Sequence, residues 1–256
     1  MSFAERYGPW AVVAGASAGL GAAFARELAA RGCSVVLVAR RPDPLASLAA
    51  SLPRPTVTVA ADLSTAEGLA AVTAATADLE VGLVVANAAY SPIGPFLGTP
   101  LADAQRAVDL NCVAPMALAH HYLPAMVDRG HGGFVVMSSL AGLQGSPPIS
   151  AYAATKAFGA ILAEGLWAEL RTTGVDVVTC VAGAVATPNL AQAKAHQAPG
   201  TQTPEQVVRA ALGGLGHGPR VVPGALMRVS SAVMSRLLPR RTAIQIIARA
   251  SRDLTA

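Results

Sequence analysis

The sequence predicts an α/β fold: a doubly wound parallel sheet in three layers, built as a single domain. Three observations point there. Short apolar runs alternate along the chain with segments of helical periodicity. The longest of these runs, 35–39 and 83–86, have the length of buried strands. Composition supplies the third: of 256 residues, 53% are apolar and 13% charged, against a usual charged fraction of about 25%. With a mean hydropathy of +0.47, the apolar excess describes one large, alanine-rich core. A disordered chain, which needs low hydrophobicity and high charge, is excluded. No run nears the ~18 uncharged apolar residues of a membrane span.

Taken in order, the elements begin with an apolar strand over 10–14 that ends at Gly15. Helical spacing follows through Arg31, with Leu20, Phe24 and Leu28 on one face and Gly32 as the stop. A buried strand occupies 34–39, and a helix bounded by prolines occupies 42–55. Strands at 57–60, 83–86, 134–137 and 175–181 follow, separated by helical spacing. Such alternation implies right-handed crossovers and a sheet covered on both faces, which takes its ligands at the carboxyl ends of the strands. The one long irregular loop, 187–203, carries Pro188, Leu190, Lys194, His196 and Pro199. Thr203, Pro204 and Gln206 then read as a cap, a first-turn proline and a capping-box partner.

Charge is unevenly distributed. Between Arg228 and Asp253 the balance is +5, whereas the rest of the chain carries −1. The pI of 9.3 therefore describes the tail. With no basic stripe elsewhere and few aromatics, nucleic acid is not an expected partner. Cys33, Cys112 and Cys180 are widely spaced and odd in number, which reads as reduced core thiols. His120 and His121 have no third ligand in sight, so no metal site is expected. The start, MSFAERYGPW, lacks the layout of a signal peptide, and a cytoplasmic location is expected.

Chemistry enters at Gly15, Gly19 and Gly21, where the first strand hands over to the first helix. Without Cβ atoms, Gly15 suits a tight turn, Gly19 lets backbone approach a pyrophosphate and Gly21 allows close helix–strand packing. A helix N-terminus there offers free N–H groups to phosphate. The bland alternative is a flexible turn in a glycine-rich chain. At the end of the second strand, Ala39 stands where an NAD site places an acid, and Arg40 and Arg41 follow. A guanidinium forks onto a 2′-phosphate, so NADP(H) is favoured over NAD(H); the alternative is a pair of surface arginines. Tyr152 and Lys156, four apart at a helix start, face the same way. An ammonium beside a phenol is expected to lower the tyrosine pKa from its reference of ~10. Ser138 and Ser139 close a buried strand at its carboxyl end, the latter 13 residues before Tyr152, where a hydroxyl can polarise a carbonyl. Adjacent strand residues point to opposite faces, so only one of the two can serve.

These motifs, in this order, resemble the short-chain dehydrogenase/reductase family, whose fold is of the Rossmann type. The resemblance runs from Trp10 to about Gly224. The stretch from Ala14 to Gly21, including Ser17 and Leu20, resembles TGxxxGxG. Asp62 and Leu63 resemble the pair whose acid holds the adenine amino group, and the run from Ala86 through Asn87 and Ala88 to Ala89 resembles NNAG. Asn111 matches the asparagine that bends the central helix and holds a proton-relay water. Ser139, Tyr152 and Lys156 match the remaining catalytic positions. The run from Val181 to Thr187, with Gly183 and Val185, resembles the segment ending in the threonine that contacts the nicotinamide carboxamide.

Three residues depart from the pattern: Ala14 replaces a threonine, Ala86 an asparagine and Ala182 a proline. The first two are read as a compensated pair, because removing both polar partners together strands neither. The resemblance implies hydride transfer from NADPH to a carbonyl carbon, with Tyr152 delivering the proton and Ser139 holding the oxygen. Lys156 lowers the tyrosine pKa and binds the nicotinamide ribose. A hydrophobic ketone or alcohol (3-oxoacyl, steroid or similar) suits the apolar loop. The competing class is a non-catalytic dinucleotide sensor on the same fold. A homodimer or homotetramer is implied by resemblance. The organisation expected is a dinucleotide-binding catalytic domain over 1–224 and a basic amphipathic extension over 225–256. In that extension Leu226, Val229, Val233 and Leu237 share a helical face, with Ile244, Ile247 and Ala248 beginning a second stripe. The extension is expected to pack on the domain, join a partner subunit or touch an anionic membrane surface.

Overall fold

The computed structural model describes residues 1–187 and 200–250. Strands β1 (Trp10–Ala14), β2 (Ser34–Ala39), β3 (Thr56–Ala60), β4 (Val81–Ala86), β5 (Gly132–Ser139), β6 (Val175–Ala182) and β7 (Arg220–Val221) pair in parallel. Among the described residues they form one sheet in the order β3-β2-β1-β4-β5-β6-β7. The chain runs outward from β1 to β3, then returns to β4 on the other side of β1. That reversal opens a crevice at the carboxyl ends of β1 and β4, the place where such sheets bind ligands. Both faces of the sheet are apolar, as burial on two sides requires.

One face carries Val13, Leu37, Val85, Val135 and Cys180. Phe24 and Leu28 of α2 (Gly19–Ala30), Leu45 and Leu48 of α3 (Pro42–Ser51) and Tyr7 of α1 (Phe3–Tyr7) cover it. The opposite face carries Val12, Val36, Val84, Phe134 and Val177. It is packed by Val72 of α4 (Ala66–Ala75), by Leu118 and Met126 of α6 (Ala114–Arg129) and by Ala163 of α7 (Ser150–Glu169). Between α4 and α6 lies the short α5 (Leu101–Val108). Cys33, Cys112 and Cys180 are buried free thiols.

Element ends differ from the sequence reading for local reasons. The helix expected over 42–55 stops at Ser51, because Leu52 precedes Pro53 and takes the extended backbone that a following proline favours. β5 starts earlier than its apolar run. Gly133 lies so close to Tyr7 and Leu83 that a Cβ would meet them at 3.1 and 3.0 Å, so glycine there marks tight packing. The Asp176 carboxylate on β6 accepts from Arg6 Nε at 3.0 Å and the Tyr7 hydroxyl at 2.7 Å, fastening α1 to the sheet. Helix α8 (Pro204–Gly213) opens with the expected Thr203–Gln206 capping box.

Helix α9 (Ala225–Ala232) presents a different face from the one its stripe predicts. Leu226, Val229 and Leu237 are exposed, and Met227 turns inward onto Gly183, whose lack of a side chain leaves room for the thioether. In α10 (Arg240–Ala250), Ala243 is buried and Arg240 donates to the Leu143 carbonyl at 2.8 Å. No described helix is long and apolar enough to cross a membrane.

A tight constraint near the crevice is Gly21. A Cβ there would fall inside the Gly15 carbonyl oxygen. Gly21→Ala is expected to lose about 1–3 kcal/mol of stability through overpacking, read as a lower urea midpoint. Gly213→Ala, at a position with open space around it, leaves the midpoint unchanged or slightly higher.

Candidate active site

The crevice is a cleft of about 590 Å³, within the range of small-molecule sites. It gathers Gly15, Ser17, Gly19, Leu20, Arg40, Arg41, Asp62, Leu63, Asn87, Ala88 and Thr187, residues that the sequence places on five separate segments. Gly15 and Gly19 adopt φ of +77° and +54°, which the turn into α2 requires. The N-cap of α2, Ala18, has no capping side chain, so the first N–H groups of the helix face the cleft without a competing acceptor. Asn87 Nδ2 donates to the carbonyls of Ala14 and Gly15 at 3.0 and 3.3 Å, fixing the turn from across the switch point.

Gly21, Gly183 and Val185 lie outside the lining. Gly21 packs behind the turn, Gly183 sits beneath Met227, and Val185 is buried and bridges to Gln202. Residues 188–199 of the long loop, including Pro188, Leu190, Lys194, His196 and Pro199, lie outside the described residues. The sequence reading missed Ala18, Val38, Ala61 and Leu110 among the lining, small or apolar residues with no chemical signature of their own. It also missed Arg106 and Tyr90 at the rim. Arg106 pairs with Asp62 at 2.9 Å across 44 residues of sequence, a juxtaposition only the fold creates.

Asn111, Ser139, Tyr152 and Lys156 lie outside the cleft lining. Asn111 and Lys156 line a small hollow that shares Leu63, Ala88 and Leu110 with the cleft, and β5 and α7 carry the serine, the tyrosine and the lysine. Ser139 and Ser138 point to opposite faces, as adjacent strand residues must. Ser138 Oγ is buried and donates to the Lys156 carbonyl at 2.7 Å, whereas Ser139 Oγ is part-buried and accepts from Ala141 N–H at 3.2 Å. Asn111 lies in a π-helical turn over Asp109–Val113 that bends the helix run between α5 and α6. Its Nδ2 donates to the Tyr90 carbonyl at 2.8 Å and to Thr155 Oγ1 at 2.9 Å, and its Oδ1 accepts from Tyr90 N–H at 2.9 Å. Thr155 Oγ1 in turn donates to the Tyr152 carbonyl at 2.7 Å. One side chain thus ties the loop after β4 to the first turns of α7.

The electrostatics correct one expectation. Tyr152 does not have a lowered pKa: burial pushes its phenol above the ordinary value, and a hydrogen-bonding contact with Ser139 only partly offsets this. Lys156 cannot reverse the balance from its position. Its Nζ donates to the Met137 carbonyl at 2.8 Å and lies 5.6 Å from the centre of the Tyr152 ring. Burial also lowers the Lys156 pKa to about 8, with Cys112 pulling the other way. Tyr152 is therefore a protonated acid through the neutral range. Ala14 and Ala86, two of the departures from the family pattern, are register partners on β1 and β4 and are both buried. They share a small hollow with Asn111 and Lys156.

Known proteins resemble this chain in sequence and fold. The sequence pattern of the short chain dehydrogenase family matches residues 9–198. A 7β-hydroxysteroid dehydrogenase of Clostridium sardiniense is 34% identical over 192 residues, 73% of this chain and 74% of that one. A very-long-chain 3-oxoacyl-CoA reductase of Anas platyrhynchos is 30% identical over 97% of this chain and 82% of its own. Among solved structures, one determined for 7β-hydroxysteroid dehydrogenase stereoselectivity superposes with a TM-score of 0.90 at 29% identity, covering 96% of this chain and 99% of that one. A short-chain dehydrogenase from Sphingobium yanoikuyae in complex with NADPH gives 0.78 at 30% identity, over 90% and 96%. The chain belongs to the short-chain dehydrogenase family, whose members are oxidoreductases that bind a nicotinamide cofactor.

The Asn111 tie has a measurable cost. Asn111→Ala leaves the Tyr90 N–H and C=O without their partner, each orphan costing about 1–3 kcal/mol when buried. A stability loss on the order of 3 kcal/mol is expected from urea unfolding with an unchanged m-value. A loss under about 1 kcal/mol would show that these groups find other partners.

Proposed function

We propose that the protein is an NADP(H)-dependent oxidoreductase that interconverts a hydrophobic ketone and alcohol, with Tyr152 as general acid and base. Steroids and 3-oxoacyl compounds, the classes named in its relatives, are the substrates of choice. One juxtaposition supports the reading most. Asn111 and Lys156 line a hollow that shares Leu63, Ala88 and Leu110 with the cleft that carries Arg40 and Arg41, with Ala39 in place of an acid. Tyr152 lies beside both Lys156 and Ser139.

The cleft suits the cofactor on three counts. Its glycine cradle is one that a Cβ would fill, as the 2.9 Å from a Gly15 Cβ to Ala88 Cα makes plain. The open end of α2 suits the pyrophosphate. Among the described residues the side chains of Arg40 and Arg41 make no hydrogen bond or ion pair, which leaves their guanidinium groups for a 2′-phosphate.

When bound, the nicotinamide supplies the hydride, and the protein supplies orientation and charge. In the reductive direction Tyr152 donates its phenolic proton to the carbonyl oxygen, which the Ser139 hydroxyl orients. Burial that keeps Tyr152 protonated favours the donor role. Lys156, holding the Met137 carbonyl with one of its three donors, has two left for the nicotinamide ribose. Asn111 holds the backbone from which both side chains project.

Exposed Leu101 and Val108 on α5 with Phe158 and Ile161 on α7 support a homodimer or homotetramer built on those helices. A cytoplasmic setting accords with three free buried thiols. The sensor alternative leaves Asn111, Ser139, Tyr152 and Lys156 without a purpose, and no observation favours it.

Tyr152→Phe is expected to reduce turnover at least 100-fold while NADPH still binds, measured by steady-state NADPH oxidation and by fluorescence titration. Substantial residual turnover would remove Tyr152 from its role. Arg40→Ala is expected to weaken NADPH about tenfold or more, with much less effect on NADH. Equal losses for the two cofactors would contradict the phosphate assignment.

A further inference from the structure

Asp62 poses an electrostatic problem for the proposed cofactor preference. Its carboxylate lines the same cleft as Arg40 and Arg41. A free carboxylate there would draw the arginines to itself and repel a phosphate brought to them. The structure shows how its charge is taken up. Asp62 Oδ1 accepts from Ser64 N–H at 3.0 Å and Ser64 Oγ at 2.7 Å, while Oδ2 accepts from Arg106 Nη2 at 2.9 Å. Three donors hold the group, and one of them carries a full positive charge.

Arg106 is itself held in place. It projects from α5 with its guanidinium 5.3 Å from the centre of the Tyr90 ring. Tyr90 is fixed by its hydroxyl, which donates to Asp103 Oδ1 at 3.1 Å, and by Asn111 on its backbone. The same guanidinium is therefore shaped by a ring on one side and a carboxylate at its edge. Burial raises the Asp62 pKa, but the Ser64 hydrogen bonds together with Arg106 and Arg40 outweigh it and hold the carboxyl below its ordinary value. Asp62 and Arg40 thus feel one another's charge.

We infer that Arg106 is a specificity-determining residue: by pairing with Asp62 it cancels the carboxylate that would otherwise compete for Arg40, and so it leaves Arg40 and Arg41 to a phosphorylated ribose. The inference rests on the NADP(H) reading above. Arg106 acts through Asp62 and is a positioning residue; it is absent from the cleft lining. Because the side chains of Arg106 and Asp62 are 36% and 31% exposed, solvent screens the pair and the effect is moderate.

The test is the ratio of NADPH to NADH affinity, measured by titration on wild type, Arg106→Gln, Arg106→Lys and the double variant Arg106→Gln/Asp62→Asn. Arg106→Gln is expected to lower the ratio roughly fivefold at low salt, and less at high salt. Arg106→Lys keeps the ratio near that of wild type. In the double variant the ratio recovers, because the carboxylate that needed neutralising is gone. A merely structural brace predicts something else: both cofactors weaken by one factor, or the ratio stays low in the double variant. Either result overturns the inference. If Arg106→Gln does not fold, Asp62→Asn alone decides. It frees Arg106 as an added cation beside the site, so the NADPH:NADH ratio rises, and a ratio that does not rise overturns the inference. A wild-type protein that binds NADPH no better than NADH refutes the cofactor reading instead, a result separate from any effect of Arg106.

Discussion

Everything at the carboxyl edge of the sheet depends on backbone meeting backbone between β1 and β4. Gly15 stands where a Cβ would lie 2.9 Å from Ala88 Cα, and Gly21 presses against the Gly15 carbonyl from the other side. Asn87 closes the contact by bonding the Ala14 and Gly15 carbonyls. Side chains at any of these points would push the strands or the helix apart. Because they are absent, the N-terminus of α2 meets the crevice and β1 and β4 end in register at Ala14 and Ala86, with β5 running on to Ser139. Ser139 on β5 and the glycine turn after β1 inherit their separation from that pairing.

A second set of bonds carries the order sideways. Tyr90 follows β4 directly and is held at both its N–H and its C=O by Asn111, which also grips Thr155 on α7. Tyr152 and Lys156 flank Thr155 on the same helix. The π turn that places Asn111 breaks regular helix geometry, a local irregularity of the kind often found at functional sites. Through the Tyr90 ring the same scaffold reaches Arg106 and, through it, Asp62 in the cleft wall. The polar residues of α7 and of the cleft are thus held by one connected structure.

Features with a local signature were legible in the sequence. Ser34–Ala39 is a strand with the expected bounds because its residues are apolar and β-branched and Gly32 precedes it. Ser139 was distinguishable from Ser138 because strand residues alternate in direction, and the hydrogen bonds follow that alternation. The glycines declared themselves through spacing. What could not be read depends on distant contacts or on burial. The Arg106–Asp62 pair joins residues 44 apart. The pKa of Tyr152 rises because the fold surrounds its hydroxyl, while Lys156 spends a donor on Met137. On α9 the stripe of Leu226 and Val229 suggested the packed face, but the room above Gly183 selects Met227 instead.

The central claim is that this geometry performs reduction with NADPH as well as binding it. Its most direct test is NADPH oxidation by the wild-type protein across a panel of steroid ketones, 3-oxoacyl thioesters and bulky apolar ketones, with NADH run alongside. The account predicts ketone-dependent oxidation of NADPH by at least one class, faster than that of NADH at equal concentration. Tight binding of NADPH with no oxidation by any of these substrates would contradict it.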